Sequence, residues 1–201
     1  MKQHHTHCSK RAQGAILCLT LIALVSSTAF PSDFSLINDG AQSSMTVILV
    51  RHAEKKVVAP ENKDPDLSQA GLARAQELAR MFGNTGIAAI YATQYKRTQQ
   101  TVKPLADKLG LQVSQIEAKK TPELLKQIRS RNAGQVILIA GHNNTVPEII
   151  AGLGGPQLPI IPEEEFDNLY ILTVLSDGSA KLIKMKYGSP LLATGQGMIK
   201  P

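Results

Sequence analysis

Cysteine and aromatic residues are scarce in this chain of 201 residues. It has two cysteines, Cys8 and Cys18, and no tryptophan, and aromatic residues make up 4% of it. Because both cysteines lie near the amino terminus, the rest of the chain has no thiol for a disulfide or a cysteine-based zinc site. The few aromatic side chains also argue against a stacking platform for nucleic acid.

Acidic residues are missing from the first 29 positions. Residues 1–14 carry three basic residues, an apolar run follows over residues 15–25, and Ser27-Thr28-Ala29 places small residues at positions −3 and −1 of a cleavage site. This is the layout of a secretory signal peptide, so we expect cleavage near Ala29 and a periplasmic or secreted protein. An uncleaved membrane anchor is the alternative, although the apolar run is short for a bilayer core of about 30 Å.

Removal of this leader would change the charge and the ligand content of the chain. It would take away three histidines and both cysteines, so we predict no metal site. Of the 22 basic residues, 19 would remain against 16 acidic ones, a net charge of +3. That balance favours a local basic pocket over a nucleic-acid surface. We therefore predict no nucleic-acid partner and no stable membrane span after signal cleavage.

The rest of the chain is predicted to form one α/β domain. Residues 30–44 are polar and indicate a linker, residues 45–188 form the domain, and residues 189–201 are an irregular tail. Apolar runs predict strands at 46–50, 87–92, 113–116, 135–140, 168–175 and 180–186, and helical periodicity predicts helices at 68–82, 95–109, from 121 onward and at 145–150. This alternation predicts three layers, a mostly parallel sheet with helices on both faces and an antiparallel edge.

Basic side chains and histidines follow three of the predicted strands. Arg51 and His52 end the first strand, Arg97 follows the second, and His142 ends the fourth. Carboxyl ends of strands in such sheets are where ligands bind. A neutral imidazole can attack phosphorus, while arginines hold the phosphoryl oxygens. The pattern indicates a phosphoryl pocket, although a single strand-end histidine is more often structural and a single helical arginine is more often a solvated surface charge.

Four segments of the chain resemble the histidine phosphatase superfamily, the phosphoglycerate-mutase-like group. They are Leu49-Val50-Arg51-His52-Ala53-Glu54, Asp66-Leu67-Ser68-Gln69-Ala70-Gly71, Tyr91-Ala92-Thr93 through Arg97-Thr98-Gln99-Gln100-Thr101, and Gly141-His142-Asn143-Asn144-Thr145. The resemblance implies that His52 is the phosphorylated nucleophile and that Arg51, Arg97 and His142 bind phosphate, without any cofactor. The chain is similar to the compact branch that includes bacterial phosphohistidine phosphatases.

The proton donor is the part of the family pattern that this sequence lacks. Asn143 stands where the acid phosphatase branch has an aspartate. Glu123 is the first candidate donor and Glu54 the second, although Glu123 also suits the first turn of a helix and Glu54 begins a charged run.

The predicted function is a phosphatase that hydrolyses a phosphomonoester or phosphoramidate through a phosphohistidine on His52. A small phosphorylated molecule or a phosphoprotein would be the substrate. A phosphoglycerate-type mutase and a phosphate-binding module without turnover are the alternatives.

Overall fold

A computed structural model describes residues 44–59 and 61–188 of the chain. The predicted signal peptide, nearly all of the predicted linker and the predicted tail lie outside the described residues and stay predictions. No helix within the described ranges is both long and apolar enough to cross a membrane.

The described chain alternates strands and helices, and then ends in two successive strands. The elements are β1 (Met45–Arg51), α1 (Gln69–Phe82), β2 (Ile87–Thr93), α2 (Lys96–Leu109), β3 (Val113–Ile116), α3 (Thr121–Arg131), β4 (Val136–Gly141), α4 (Thr145–Gly152), β5 (Asn168–Val174) and β6 (Ala180–Lys186). The predicted bounds agree with these to within one or two residues. Helix α2 continues through Pro104.

The six strands form one sheet in the order β3-β2-β4-β1-β5-β6. Strands β3, β2, β4 and β1 pair in parallel, whereas β5 runs antiparallel to β1 and β6 antiparallel to β5. The predicted fold class, a mostly parallel sheet with an antiparallel edge, is confirmed. Because β1 and β4 are neighbours, Arg51 pairs with Gly141 and the two strand-end histidines follow side by side.

Alternate residues of the central strands face two separate apolar cores. Val47 and Leu49 of β1 pack on the side that holds α3 and α4, whereas Ile48 and Val50 pack on the side that holds α1 and α2. This alternation is the period of two that a strand imposes on its side chains. The sheet is therefore buried on both faces. The polar residues of the predicted site lie at the carboxyl ends of its parallel strands.

Helix α4 begins at the predicted residue, Thr145, but the Thr145 side chain does not cap it. Thr145 and Glu148 have the spacing of a capping box, but Asn144 is the residue before the helix and its side chain makes no capping bond. The Thr145 hydroxyl instead accepts a hydrogen bond from the backbone N–H of His142, at 2.8 Å. The Thr145 hydroxyl therefore holds the turn that carries His142. The capping-box spacing considers the helix alone and does not include such a contact.

Candidate active site

His52 follows the last residue of β1 and has one ring nitrogen committed to the backbone. The backbone N–H of His52 donates to the Gly141 carbonyl at 2.9 Å, which continues the pairing of β1 with β4. Its Nδ1 lies 2.8 Å from the Ala53 carbonyl oxygen. A carbonyl only accepts, so Nδ1 carries the proton and Nε2 keeps its lone pair. His52 is 4% exposed and lines an open pocket.

Burial keeps the His52 ring neutral. It lowers the pKa of His52 from the ordinary 6.5 to about 3, with the nearby His142, Arg51 and Arg97 acting in the same direction and the hydrogen bond to Ala53 acting against them. At neutral pH the ring is therefore an unprotonated imidazole, which is the form that can attack an electrophile.

Two hydrogen bonds hold the backbone segment that follows His52. The Ala53 N–H donates to Thr101 Oγ1 at 2.9 Å, and that hydroxyl donates to the Arg97 carbonyl at 2.7 Å. The Glu54 carbonyl accepts from the Ser68 N–H at 2.8 Å. The segment whose carbonyl orients His52 is thus fixed by α2 and by the residue that precedes α1.

His142 lies opposite His52, at the end of β4. The two ring centroids are 5.5 Å apart at 64°. His142 Nε2 and Thr93 Oγ1 are hydrogen-bonded at 2.9 Å, and Thr93 also bonds Thr98. Burial, followed by the charges of Arg97 and Arg51, lowers the pKa of His142 to about 4. The sequence placed Thr93 within a family motif without assigning it a role, and its hydroxyl positions the second histidine.

Arg51 is buried and clasps a distant segment of the chain. Its Nη1 donates to the carbonyls of Pro162 at 2.7 Å and of Glu163 at 2.8 Å, and more weakly to Glu165 at 3.3 Å. Its Nη2 lies 2.7 Å from Glu163 Oε2. The Phe166 ring lies 4.2 Å from the guanidinium. The guanidinium is therefore held between the loop before β5 and the pocket that it lines.

Arg97 enters the pocket from the first turn of α2. Its guanidinium lies 4.3 Å from the ring of Tyr95, and Nη1 is 3.6 Å from Asp64 Oδ1. The side chain is 15% exposed, which leaves it accessible to an anion in the pocket. Lys96, its neighbour, is exposed and is not part of the pocket lining.

The four predicted site residues lie around one pocket of about 300 Å³. The sequence predicted no site role for the other residues that line it. These are Lys55, Tyr95, Ala118, Lys119, Asn143, Asn144, Thr145 and Glu163. Two lysines and two arginines in this lining make the pocket suited to an anion.

Neither predicted proton donor lines this pocket. Glu54 is buried and takes three hydrogen bonds from Arg74, two from Nε at 3.0 Å and one from Nη2 at 2.7 Å. Its carboxylate ties the loop after β1 to α1. Glu123 is exposed in the first turn of α3, where the helix dipole favours a negative charge. Glu163 is the carboxylate found at the pocket instead, and the acidic run after Pro162 was its signal in the sequence.

One segment of the chain matches a known protein family. Residues 47–120 match the family model of the histidine phosphatase superfamily (branch 1). This segment contains Arg51, His52 and Arg97. No curated protein sequence is significantly similar to the chain.

Solved structures share the fold at low sequence identity. The protein histidine phosphatase SixA complexed with tungstate is 18% identical with a TM-score of 0.57, over 71% of this chain and 97% of that one. The putative phosphohistidine phosphatase SixA from Agrobacterium tumefaciens is 21% identical with a TM-score of 0.55, over 72% and 97%.

A putative alpha-ribazole-5′-P phosphatase from Escherichia coli is 14% identical with a TM-score of 0.57, over 71% of this chain and 96% of that one. Residues 47–120 thus match the histidine phosphatase superfamily, and the described domain shares its fold with these phosphatases.

Proposed function

We propose that the protein is a phosphatase that hydrolyses a phosphomonoester or a phosphoramidate through a phosphohistidine on His52. The observation that carries the proposal is the hydrogen bond from His52 Nδ1 to the Ala53 carbonyl, at 2.8 Å. It fixes the tautomer with a free lone pair on Nε2, in a ring that burial keeps neutral. A nucleophile prepared in this way needs no separate base.

In the first step, Nε2 of His52 forms a bond to phosphorus while the bond from phosphorus to the leaving oxygen or nitrogen breaks. Arg51, Arg97 and His142 line the same pocket and would face the phosphoryl oxygens. Their role is to stabilise the charge that these oxygens carry in the transition state. In the second step, water attacks phosphorus, the bond to Nε2 breaks, and inorganic phosphate leaves.

The similar structures support this class of reaction. Two of them are described as histidine or phosphohistidine phosphatases, and a third as a phosphatase of a phosphate ester. The proposed reaction therefore includes hydrolysis of both P–N and P–O bonds. The pocket is open, so its substrate is either a small phosphorylated molecule or a phosphoryl group presented on the surface of a protein.

The first prediction tests the nucleophile. The purified chain should release phosphate from p-nitrophenyl phosphate, and His52→Gln should lower the rate by at least about 10³-fold, because a covalent nucleophile has no substitute in the pocket. Denaturation of the wild type during turnover should trap a phosphoryl group that is stable to alkali and labile to acid, as expected for a bond to nitrogen.

The variant must remain folded for this comparison, which circular dichroism and thermal unfolding would establish. A folded His52→Gln that keeps more than a tenth of the rate would contradict the assignment. A wild type that binds inorganic phosphate but releases none from any phosphate ester or phosphoramidate would favour the phosphate-binding module.

A further inference from the structure

Glu163 brings a carboxylate to the mouth of the pocket. Its Oε2 lies 2.7 Å from Arg51 Nη2, and its Oε1 accepts a hydrogen bond from Asn143 Nδ2, also at 2.7 Å. Within the described ranges, it is the sole carboxylate among the residues that line this pocket. The side chain is 68% exposed although its partner Arg51 is buried, so the carboxylate covers the guanidinium from the solvent side.

The backbone around Glu163 has hydrogen bonds of its own, separate from those of the Glu163 side chain. Arg51 Nη1 binds the carbonyls of Pro162 and Glu163, and the Ile161 N–H donates to the Asn143 carbonyl at 3.0 Å. The loop is therefore attached to the end of β1 and to the residue after His142. A rotation about side-chain bonds can move the carboxylate by a few ångströms while the loop stays in place.

We propose that Glu163 is the proton donor to the leaving group, a role that rests on the proposed phosphatase function. A phosphoryl dianion that enters the pocket competes with the Glu163 carboxylate for Nη2 of Arg51. Once displaced, the carboxylate has lost its cationic partner and faces the negative charge of the phosphoryl group. Both changes favour uptake of a proton. The Asn143 amide keeps the displaced carboxyl group at the mouth of the pocket, where a leaving group points.

The proton then balances the reaction. As the bond from phosphorus to the leaving oxygen breaks, the Glu163 carboxyl group gives its proton to that oxygen, and the substrate departs as an alcohol. The resulting carboxylate takes a proton from the water that attacks phosphorus, while the bond to His52 Nε2 breaks. Glu163 ends the two steps protonated and His52 neutral, with one water consumed and one phosphate formed. As phosphate leaves, Glu163 returns its proton to solvent and pairs with Arg51 again.

The second prediction separates a proton donor from a positioning contact. Ethyl phosphate needs a protonated leaving oxygen, whereas p-nitrophenolate is stable without a proton. Glu163→Gln keeps the shape and the contact to Asn143 but has no proton to transfer. It should lower kcat/KM, which reports on the steps up to departure of the leaving group, by about 10²–10⁴-fold for ethyl phosphate and by less than about tenfold for p-nitrophenyl phosphate. Glu164→Gln is the matched control, because Glu164 is exposed and does not line the pocket.

Each other outcome has a distinct meaning. Equal losses of kcat/KM on both substrates would overturn the donor role and leave Glu163 as a residue that positions Arg51. Faster turnover of both by Glu163→Gln would overturn it in favour of a carboxylate that merely competes with phosphate. Unchanged kinetics would also overturn it. A wild type inactive on both substrates would overturn the phosphatase proposal itself, and the donor role with it.

Discussion

At the scale of single residues, two histidines share a pocket but have different hydrogen bonds. His52 bonds a carbonyl, which defines its tautomer, whereas His142 bonds a hydroxyl that can donate or accept. The first arrangement suits a nucleophile, which needs a permanent lone pair. The second suits a residue that binds phosphate, because the hydroxyl can adjust when the His142 ring becomes protonated beside an anion.

The third prediction compares Arg97 with its neighbour. Arg97→Ala should weaken inhibition by vanadate and inorganic phosphate roughly 10- to 100-fold, the value expected for loss of a hydrogen bond of about 1.5–3 kcal/mol to a charged group. Lys96→Ala should change the inhibition constant by less than about threefold, because the Lys96 side chain is exposed and lies outside the pocket.

Inhibition constants for both anions, measured at two salt concentrations, would decide this comparison. A general charge effect would give similar losses for the two variants, and both losses would shrink at high salt. That result would contradict the role of Arg97 in binding phosphate.

At the scale of elements, the amino-terminal turn of α1 is pressed against the loop that follows His52. Ser68 Oγ caps this helix by accepting from the Gly71 N–H at 3.2 Å. A Cβ on Gly71 would lie 2.1 Å from the Glu54 carbonyl oxygen. The glycine of this motif is needed because a backbone atom occupies the space that a side chain would fill.

The fourth prediction follows from that contact. Gly71→Ala should lower the free energy of unfolding by about 1–3 kcal/mol, because backbone must move to relieve the overlap. The same movement shifts the peptide that orients His52, so kcat should fall as well. Gly83→Ala, at the other end of α1, is the control, since the added Cβ would meet only the flexible end of Lys108.

Urea unfolding and phosphate release would be measured on both variants. If Gly71→Ala were as stable and as active as Gly83→Ala, the loop after β1 would be able to move away from the added methyl group without loss of stability or activity.

At the scale of the whole molecule, folding buries two imidazoles that the unfolded chain leaves in water. The pKa of His52 falls to about 3 and that of His142 to about 4, both from the ordinary 6.5. The unfolded chain therefore binds more protons than the folded one below pH 6.5. The stability associated with the neutral rings is complete above that pH and is lost as the pH falls toward the folded values.

The fifth prediction uses this linkage. Between pH 7.5 and 5.0, the wild type should lose stability more steeply than His142→Gln, by up to about 2 kcal/mol, since one proton corresponds to about 1.4 kcal/mol for each pH unit. Urea unfolding of both proteins at each pH gives the difference, and the carboxylates common to both cancel. Parallel pH profiles would show that His142 titrates in the same way in the folded and unfolded chains.

The sequence by itself determined the parts of this protein that depend on local chain geometry. Alternating apolar runs predicted the ten elements and the three-layer sheet, because periods of 2 and 3.6 record which face each element buries. The strand-end positions of Arg51, His52 and His142 followed directly, since parallel strands bring their carboxyl ends to one edge. The family motifs indicated that Arg97 belongs to the same site.

Only the tertiary structure decided which carboxylate reaches the pocket. Arg51 and Glu163 are 112 residues apart, and Glu54 is taken by Arg74, 20 residues away on α1. The Thr145 hydroxyl likewise serves the His142 turn in place of a helix cap. Such pairings depend on where loops arrive after the sheet is assembled, and no period or spacing in the chain encodes that distance.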